Sequence, residues 1–335
     1  MKLIDDILRH RSLAVVGLEK NTGKTECLNY ILRNLPPGTA AAVTSIGTDG
    51  EKSDAVTRTA KPEINLREGM VFGTAEKYYA VRGLVSEILD VGIRATAMGR
   101  TVTARALSDG KVMLSGPPST GELRLWMDSL DRFGVKLTIV DGALSRMSSA
   151  SPAVTESMVL STGAAFSADM NTLVKETAYR VALISLPLAG EKDRDALKQA
   201  DKGIWKIEGE GRAVCINTST SLAPENFREK TGGHCRAVYI AGALTKRLLD
   251  MLCGNKEVPE IIVADFTKVF ISSADYKGYL LRGGKMAVLR RSELLAVCVN
   301  PTAPNGMVLD SDELVKRMAG AVAVPVYDIM KCDAV

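Results

Sequence analysis

The stretch that decides the fold is Gly17-Leu18-Glu19-Lys20-Asn21-Thr22-Gly23-Lys24-Thr25. The apolar run Leu13-Ala14-Val15-Val16 precedes it and predicts a short buried strand. The segment Cys27-Leu28-Asn29-Tyr30-Ile31-Leu32 follows it with the apolar spacing of a helix face. A strand, a glycine-bounded loop that ends in Gly-Lys-Thr, and a helix together predict a phosphate-binding loop.

Each part of this loop has a physical reason. Gly23 allows the backbone to turn tightly against a phosphate, and the first N–H groups of the next helix point at the anion. Lys24 would reach the β- and γ-phosphates, and the Thr25 hydroxyl would bind Mg²⁺. The predicted nucleotide contacts are Gly17, Asn21, Thr22, Gly23, Lys24, Thr25 and Glu26. The alternative is a chance Gly-Lys-Thr sequence in an ordinary turn between a strand and a helix.

Acidic residues follow two other predicted strands. Val135–Ala143 contains an apolar strand that ends in Asp141, the position where a phosphate-loop protein places its magnesium carboxylate. An Asp-Gly turn without a metal role is the alternative. The strand predicted over residues 40–46 leads to Asp49, a second magnesium contact or a group that orients water, and to Glu51. We expect Lys24, Asp49 and Glu51 to act in catalysis, although a polar surface turn would equally explain the two acids.

Composition gives no support to a nucleic-acid or membrane-surface function. The chain has 335 residues, with 43 basic and 39 acidic residues and a formal net charge of +4. This balance does not favour a nucleic-acid or membrane-surface partner. No apolar run reaches the length of about 18 residues that a membrane span requires, and no secretory signal is evident. We therefore expect a cytoplasmic protein.

Cysteines and histidines do not predict a metal centre. No two of the six cysteines have Cys-x-x-Cys spacing, so most are expected to be buried small apolar residues. His10 and His234 are the two histidines. His234 and Cys235 would supply at most half of a metal or redox site.

The order of predicted elements indicates an α/β fold with a mostly parallel sheet. We expect a phosphate-loop nucleotide-binding domain over residues 1–200. A C-terminal α/β region over residues 201–335 either continues the sheet or forms a second domain.

Individual elements outside the loop are predicted from periodicity and turn residues. We expect helices over 75–79, 83–91, 121–133, 170–177, 244–253 and 312–318; strands over 101–107, 111–116, 157–160, 180–186, 213–216, 237–240, 261–264, 294–299 and 321–326; and a hairpin turn at 108–110. The apolar face of the 121–133 helix places Trp126 in the core.

The loop spacing resembles one branch of phosphate-loop proteins. Five residues separate Gly17 from Gly23, one more than in the common form. With the strand ends at Asp141 and Asp49, this looks like the dethiobiotin synthetase and cobyrinic acid diamide synthase branch over roughly residues 12–145. The resemblance implies phosphate and magnesium roles for Lys24, Thr25, Asp49 and Asp141. The chain departs from that branch by having Leu18 after the first glycine and Asp141 where a glutamate is usual.

A narrower resemblance covers more of the chain. The 17–25 loop, Thr44–Glu51 and Val299–Gly306 look like the smaller subunit of the lysine 5,6-aminomutase reactivase family. This resemblance implies two partners, a coenzyme-B12-dependent aminomutase and a companion ATPase. It also implies an ATP-dependent exchange of damaged cobalamin for intact adenosylcobalamin.

The expected cofactors are ATP and Mg²⁺. A guanine-reading motif would need an aspartate that is missing from both Thr245-Lys246-Arg247-Leu248 and Thr267-Lys268-Val269-Phe270, which favours ATP over GTP. Three functions stay open: an ATPase that changes the shape of a partner, an ATP-dependent ligase that acts on a small carboxylate, and a module that binds nucleotide without turnover.

Overall fold

A computed structural model describes residues 2–46, 63–143, 154–209, 211–217, 235–254 and 258–332. The helices are α1 (Lys2–Ile7), α2 (Lys24–Asn34), α3 (Glu76–Tyr79), α4 (Thr120–Ser129), α5 (Met170–Ile184), α6 (Glu191–Ala196), α7 (Lys246–Cys253), α8 (Ser273–Leu281), α9 (Ser311–Ala321) and α10 (Ile329–Cys332). Short 3-10 helices cover Leu130–Phe133 and Phe266–Lys268.

The strands lie between these helices in chain order. They are β1 (Ser12–Gly17), β2 (Ala41–Ser45), β3 (Ile64–Leu66), β4 (Val71–Ala75), β5 (Ser86–Thr96), β6 (Gly99–Ala106), β7 (Gly110–Val112), β8 (Leu137–Ala143), β9 (Ser157–Gly163), β10 (Ile204–Glu208), β11 (Arg212–Asn217), β12 (Ala237–Ile240), β13 (Leu244–Thr245), β14 (Glu260–Val263), β15 (Val269–Phe270), β16 (Met286–Val288), β17 (Glu293–Asn300) and β18 (Val326–Asp328).

The described residues form two compact units. The first contains the residues up to 143, Val154–Ala178, and those from Glu293 onward, and the second contains Tyr179–Ser292. The single boundary predicted near residue 200 differs from this division, because β17 and β18 belong to the sheet of the first unit. The sequence left two arrangements open for residues 201–335, and each holds for one part: the residues up to Ser292 belong to a second unit, and those from Glu293 onward continue the first sheet.

Nine strands of the described residues form the main sheet of the first unit, in the order β18-β17-β9-β1-β8-β2-β4-β6-β5. The pairs from β18 to β4 are parallel, and β4-β6 and β6-β5 are antiparallel. Every residue of β1, β2 and β9 is buried. Strands covered on both faces read as continuous apolar runs, which is why the sequence predicts them well. The α/β class and the mostly parallel sheet are thus confirmed.

Two apolar clusters cover the faces of this sheet. On one face α1 and α2 pack against β1 and β8, with Leu28 and Ile31 fully buried. On the other face α4 contributes Leu123 and Trp126, and Trp126 is 8% exposed as its predicted core position requires. The 17–25 loop lies between β1 and α2, at the carboxyl end of β1.

The second unit has its own sheet. The described strands follow the order β11-β10-β12-β14-β16, with β12, β14 and β16 parallel and β10 antiparallel to both of its neighbours. The predicted strands at 213–216, 237–240 and 261–264 are confirmed to within one residue at each end.

Several predicted elements are wrong. Residues 86–96 form β5 instead of a helix over 83–91, because antiparallel pairing with β6 satisfies their backbone groups. The turn at 108–110 does not join a hairpin, since β6 pairs with β5 while β7 pairs with β3. Residues 180–184 continue α5 instead of starting a strand, and 321–326 contain the end of α9, with β18 starting at Val326.

The prediction that most cysteines are buried is correct for two of the described cysteines. Cys27 and Cys298 are buried, with their sulfur atoms 3.5 Å apart, whereas Cys215 is exposed. Cys235 and Cys253 are half-buried, and burial raises the pKa of both thiols.

Candidate functional site

The 17–25 loop has an unusual backbone at two positions. Asn21 has φ +61° and is the non-glycine residue with positive φ in the described part of the chain. Gly23 has φ +85° and occupies the N-cap position of α2. Gly23 has no side chain with which to cap this helix end, so the first N–H groups of α2 are available to a ligand. A left-handed turn leading into an uncapped helix is an arrangement that binds anions.

Internal hydrogen bonds hold the loop in this shape. The hydroxyl of the fully buried Thr22 donates to the Glu19 carbonyl at 2.9 Å. The Ser161 hydroxyl donates to the Thr22 carbonyl at 2.5 Å, and the Leu18 N–H donates to the Ser161 carbonyl at 2.9 Å. Thr22 therefore stabilises the loop with its side chain, and Ser161 in β9 fixes the loop to the sheet.

Gly17 and Gly23 are required by close contacts. A Cβ atom on Gly17 would lie 2.9 Å from the Thr22 hydroxyl oxygen, and one on Gly23 would lie 2.8 Å from the Asn300 Cβ. Asn300 ends β17, and its carbonyl accepts a hydrogen bond from the Ala164 N–H at 2.9 Å. Its side-chain oxygen accepts a hydrogen bond from the Thr302 N–H at 3.1 Å. The turn-rich segment that starts at Asn300 thus lies against the glycine that begins α2.

Lys24 and Asp141 form an ion pair at this sheet edge. The Lys24 Nζ lies 2.8 Å from the Asp141 Oδ1, and the two side chains are 26% and 17% exposed. Asp141 is aligned with Val15 in β1 on one side and with Ser45 in β2 on the other. The Oδ1 atom is buried, so this ion pair lies largely out of contact with water.

The structure places the other predicted residues as follows. Thr25 lies partly exposed in the first turn of α2, next to Lys24, and Glu26 is exposed in the same turn. Asp49 and Glu51 lie outside the described residues, so their predicted roles are not tested.

Sequence reasoning did not select Ser161, Asn300 or Ser45 as site residues. Asn300 belongs to the Val299–Gly306 stretch that contributes to the narrower resemblance, but its contact with Gly23 needs β17 to lie two strands from β1. Ser45 and Ser161 are polar residues at the ends of apolar strands, which is the signal that would have identified them.

The described residues contain neither a cluster of metal-binding side chains nor a membrane-spanning helix. No group of three or more His, Cys, Asp or Glu side chains in them is arranged to hold a metal ion without other ligands. No described helix combines the length and apolar character that crossing a bilayer demands. His234, half of the His234–Cys235 pair, lies outside the described part of the chain.

Comparisons with protein-family models, curated proteins and solved structures found no match to this chain.

Proposed function

We propose that this chain is a magnesium-dependent ATPase of the phosphate-loop type. The observation that supports the proposal is the uncapped N-terminus of α2, preceded by left-handed Asn21 and Gly23 and followed by Lys24. These N–H groups and the Lys24 ammonium would bind the β- and γ-phosphates of ATP. Water attack on the γ-phosphorus would break its bond to the β,γ-bridging oxygen and release ADP and inorganic phosphate.

The residues beside the loop fit a magnesium ion. The Thr25 hydroxyl and the Asp141 carboxylate are the oxygen ligands that Mg²⁺ prefers, and the buried Asp141 Oδ1 has the Lys24 ammonium 2.8 Å away. The ion would neutralise charge on the phosphates when it is bound. Lys24 would exchange its ion pair with Asp141 for contacts to phosphate, which leaves the carboxylate oxygen for the metal or its water. Asp49 and Glu51 remain proposed for orienting the attacking water.

Steady-state phosphate release and equilibrium ATP binding test this proposal. Lys24→Ala removes a charged donor from the phosphate site, so the Kd for ATP should rise roughly 10- to 100-fold and phosphate release should stop. Lys20→Ala is the matched control, because it removes the same charge from an exposed position of the same loop. Wild-type ATP binding and turnover in Lys24→Ala would exclude the phosphate-loop assignment.

The biological role is proposed from the resemblance to the lysine 5,6-aminomutase reactivase family. We propose that this chain and a companion ATPase act on a coenzyme-B12-dependent aminomutase, and that their ATP turnover drives the exchange of its damaged cobalamin. An inactivated aminomutase should then raise the rate of phosphate release. Turnover that instead requires a small carboxylate would identify a ligase, and tight ATP binding without turnover would identify a nucleotide-binding module.

A further inference from the structure

Ser45 carries a buried hydroxyl that no described residue uses. It is the last residue of β2 and is 4% exposed, and its Oγ has no hydrogen-bond partner among the described residues. A buried polar atom without a partner is unfavourable, and native structures contain few of them. A ligand or a bound water is the usual reason for such an atom.

The hydroxyl lies on the same side of the sheet as the candidate site. Ser45 is aligned with Asp141 across the parallel β2-β8 pair, and aligned residues of neighbouring strands share a face. The preceding residue, Thr44, faces the opposite side, where its hydroxyl donates to the Gly73 carbonyl at 2.9 Å. Two buried oxygens, Ser45 Oγ and Asp141 Oδ1, therefore lie on one face: within the described residues the first has no hydrogen-bond partner, and the second has the Lys24 ammonium 2.8 Å away.

The end of β2 cannot shift to satisfy this hydroxyl. The Gly116 N–H donates to the Ser45 carbonyl at 3.0 Å. A Cβ atom on Gly116 would lie only 2.3 Å from that carbonyl oxygen, so the 116 backbone is pressed directly against the strand end. These contacts fix the backbone position from which the Ser45 hydroxyl extends.

We propose that Ser45 is a positioning residue for hydrated magnesium: its hydroxyl and the Asp141 carboxylate together hold a water ligand of the ion that accompanies ATP. This inference rests on the proposed ATPase function. Magnesium keeps several of its waters in protein sites, and these waters donate hydrogen bonds, which an anionic oxygen and a neighbouring hydroxyl oxygen accept. Groups that contact a metal through its ligands orient those ligands and tune the affinity of the site.

The test measures the affinity of the ATP-bound chain for Mn²⁺, as a paramagnetic substitute for Mg²⁺, by electron paramagnetic resonance. Ser45→Ala should weaken Mn²⁺ binding about 10-fold or more while ATP binding without metal stays unchanged. Thr44→Val is the matched control, since it removes the neighbouring hydroxyl from the other face and should leave the metal affinity unchanged. Ser45→Thr keeps a hydroxyl and should retain most of the affinity.

Three outcomes decide between the alternatives. Unchanged Mn²⁺ affinity in Ser45→Ala, with ATP still bound, would overturn the role of Ser45 and assign its hydroxyl to an ordinary buried water. Failure of the wild-type chain to bind ATP would overturn the ATPase proposal and this inference with it. If Ser45→Ala does not fold, Ser45→Cys replaces it, because its thiol is a weak hydrogen-bonding group and should lower the metal affinity.

Discussion

At the scale of single residues, Gly23 combines two requirements. Its φ of +85° disfavours residues with a side chain, and its neighbour Asn300 leaves no room for a Cβ atom. Gly38 has a similar φ of +78° but open space around the Cβ position. Comparing Gly23 with Gly38 therefore separates two effects of an added side chain: the strain of the left-handed backbone, and the clash with Asn300 of β17.

Alanine substitutions at these two glycines should therefore differ. We expect both Gly23→Ala and Gly38→Ala to lose about 1–2 kcal/mol of unfolding free energy, from the left-handed backbone. Only Gly23→Ala should also displace Asn300 and abolish ATP binding. Urea unfolding and equilibrium ATP titration measure the two effects, and equal loss of ATP binding in both variants would contradict the role of the contact.

Ionisation of Tyr239 makes the stability of the second unit depend on pH in the alkaline range. It is 3% exposed, and burial raises its pKa to about 12, an effect that Arg290 opposes. An unfolded tyrosine loses its proton near pH 10. The unfolded chain therefore binds fewer protons than the folded chain between pH 10 and 12, and stability falls as the pH rises through this window.

Tyr239→Phe should remove that part of the pH dependence. The stability that the protonated Tyr239 contributes is fully present below pH 10, and its loss by pH 12 lowers the unfolding free energy by roughly 2–3 kcal/mol. Urea unfolding at pH 9 and pH 11.5 compares the wild-type chain with the variant. An equal loss of stability in both proteins would show that folding does not raise the pKa of Tyr239.

At the scale of elements, α4 packs on β4 through an unusually close contact. A Cβ atom on Gly73 would lie 2.6 Å from the Trp126 ring, so the glycine lets the indole lie directly on the strand. The Trp126 Nε1–H also donates to the buried Thr103 hydroxyl in β6 at 2.8 Å. One side chain thus connects the helix to two strands of the antiparallel part of the sheet.

Trp126→Phe removes this hydrogen bond and part of the packing. We expect a loss of about 2–3 kcal/mol of unfolding free energy, because the substitution leaves a buried hydroxyl without its donor and a small cavity. Trp205→Phe is the control: the half-buried Trp205 also donates its Nε1–H at 2.8 Å, to the Lys202 carbonyl, but this hydrogen bond is exposed. Urea unfolding followed by circular dichroism measures the unfolding free energy of both variants. An equal loss in the two would contradict the role of burial.

The elements also show where local patterns mislead. In α5 the buried residues Leu173, Thr177, Val181 and Ile184 follow the spacing of one helix face. The run Val181-Ala182-Leu183-Ile184 by itself looks like a buried strand, because short apolar runs do not distinguish the two structures. β5 was missed for the related reason that its strand conformation depends on pairing with β6.

At the scale of the whole molecule, the chain returns to its first sheet after the second unit. β17 pairs with β9 from Glu293 to Asn300, and β9 pairs with β1. Native-state hydrogen exchange tests this arrangement. Amides of β17 should respond to low denaturant together with those of β1 and β9, because strands of one sheet tend to open in one cooperative step. Exchange of β17 together with β12 and β14 instead would contradict the division into units.

By itself, the sequence determined the parts of this protein that are local. The strand, the loop and the helix around Gly23 and Lys24 are consecutive, and the apolar run before Asp141 is long enough to predict a buried strand. Only the tertiary structure decided that Ser161 and Asn300 contact this loop and that Ser45 lies beside Asp141. Their positions depend on the strand order β17-β9-β1-β8-β2, and periodicity along a chain reports which face of an element is buried but not which strands become neighbours.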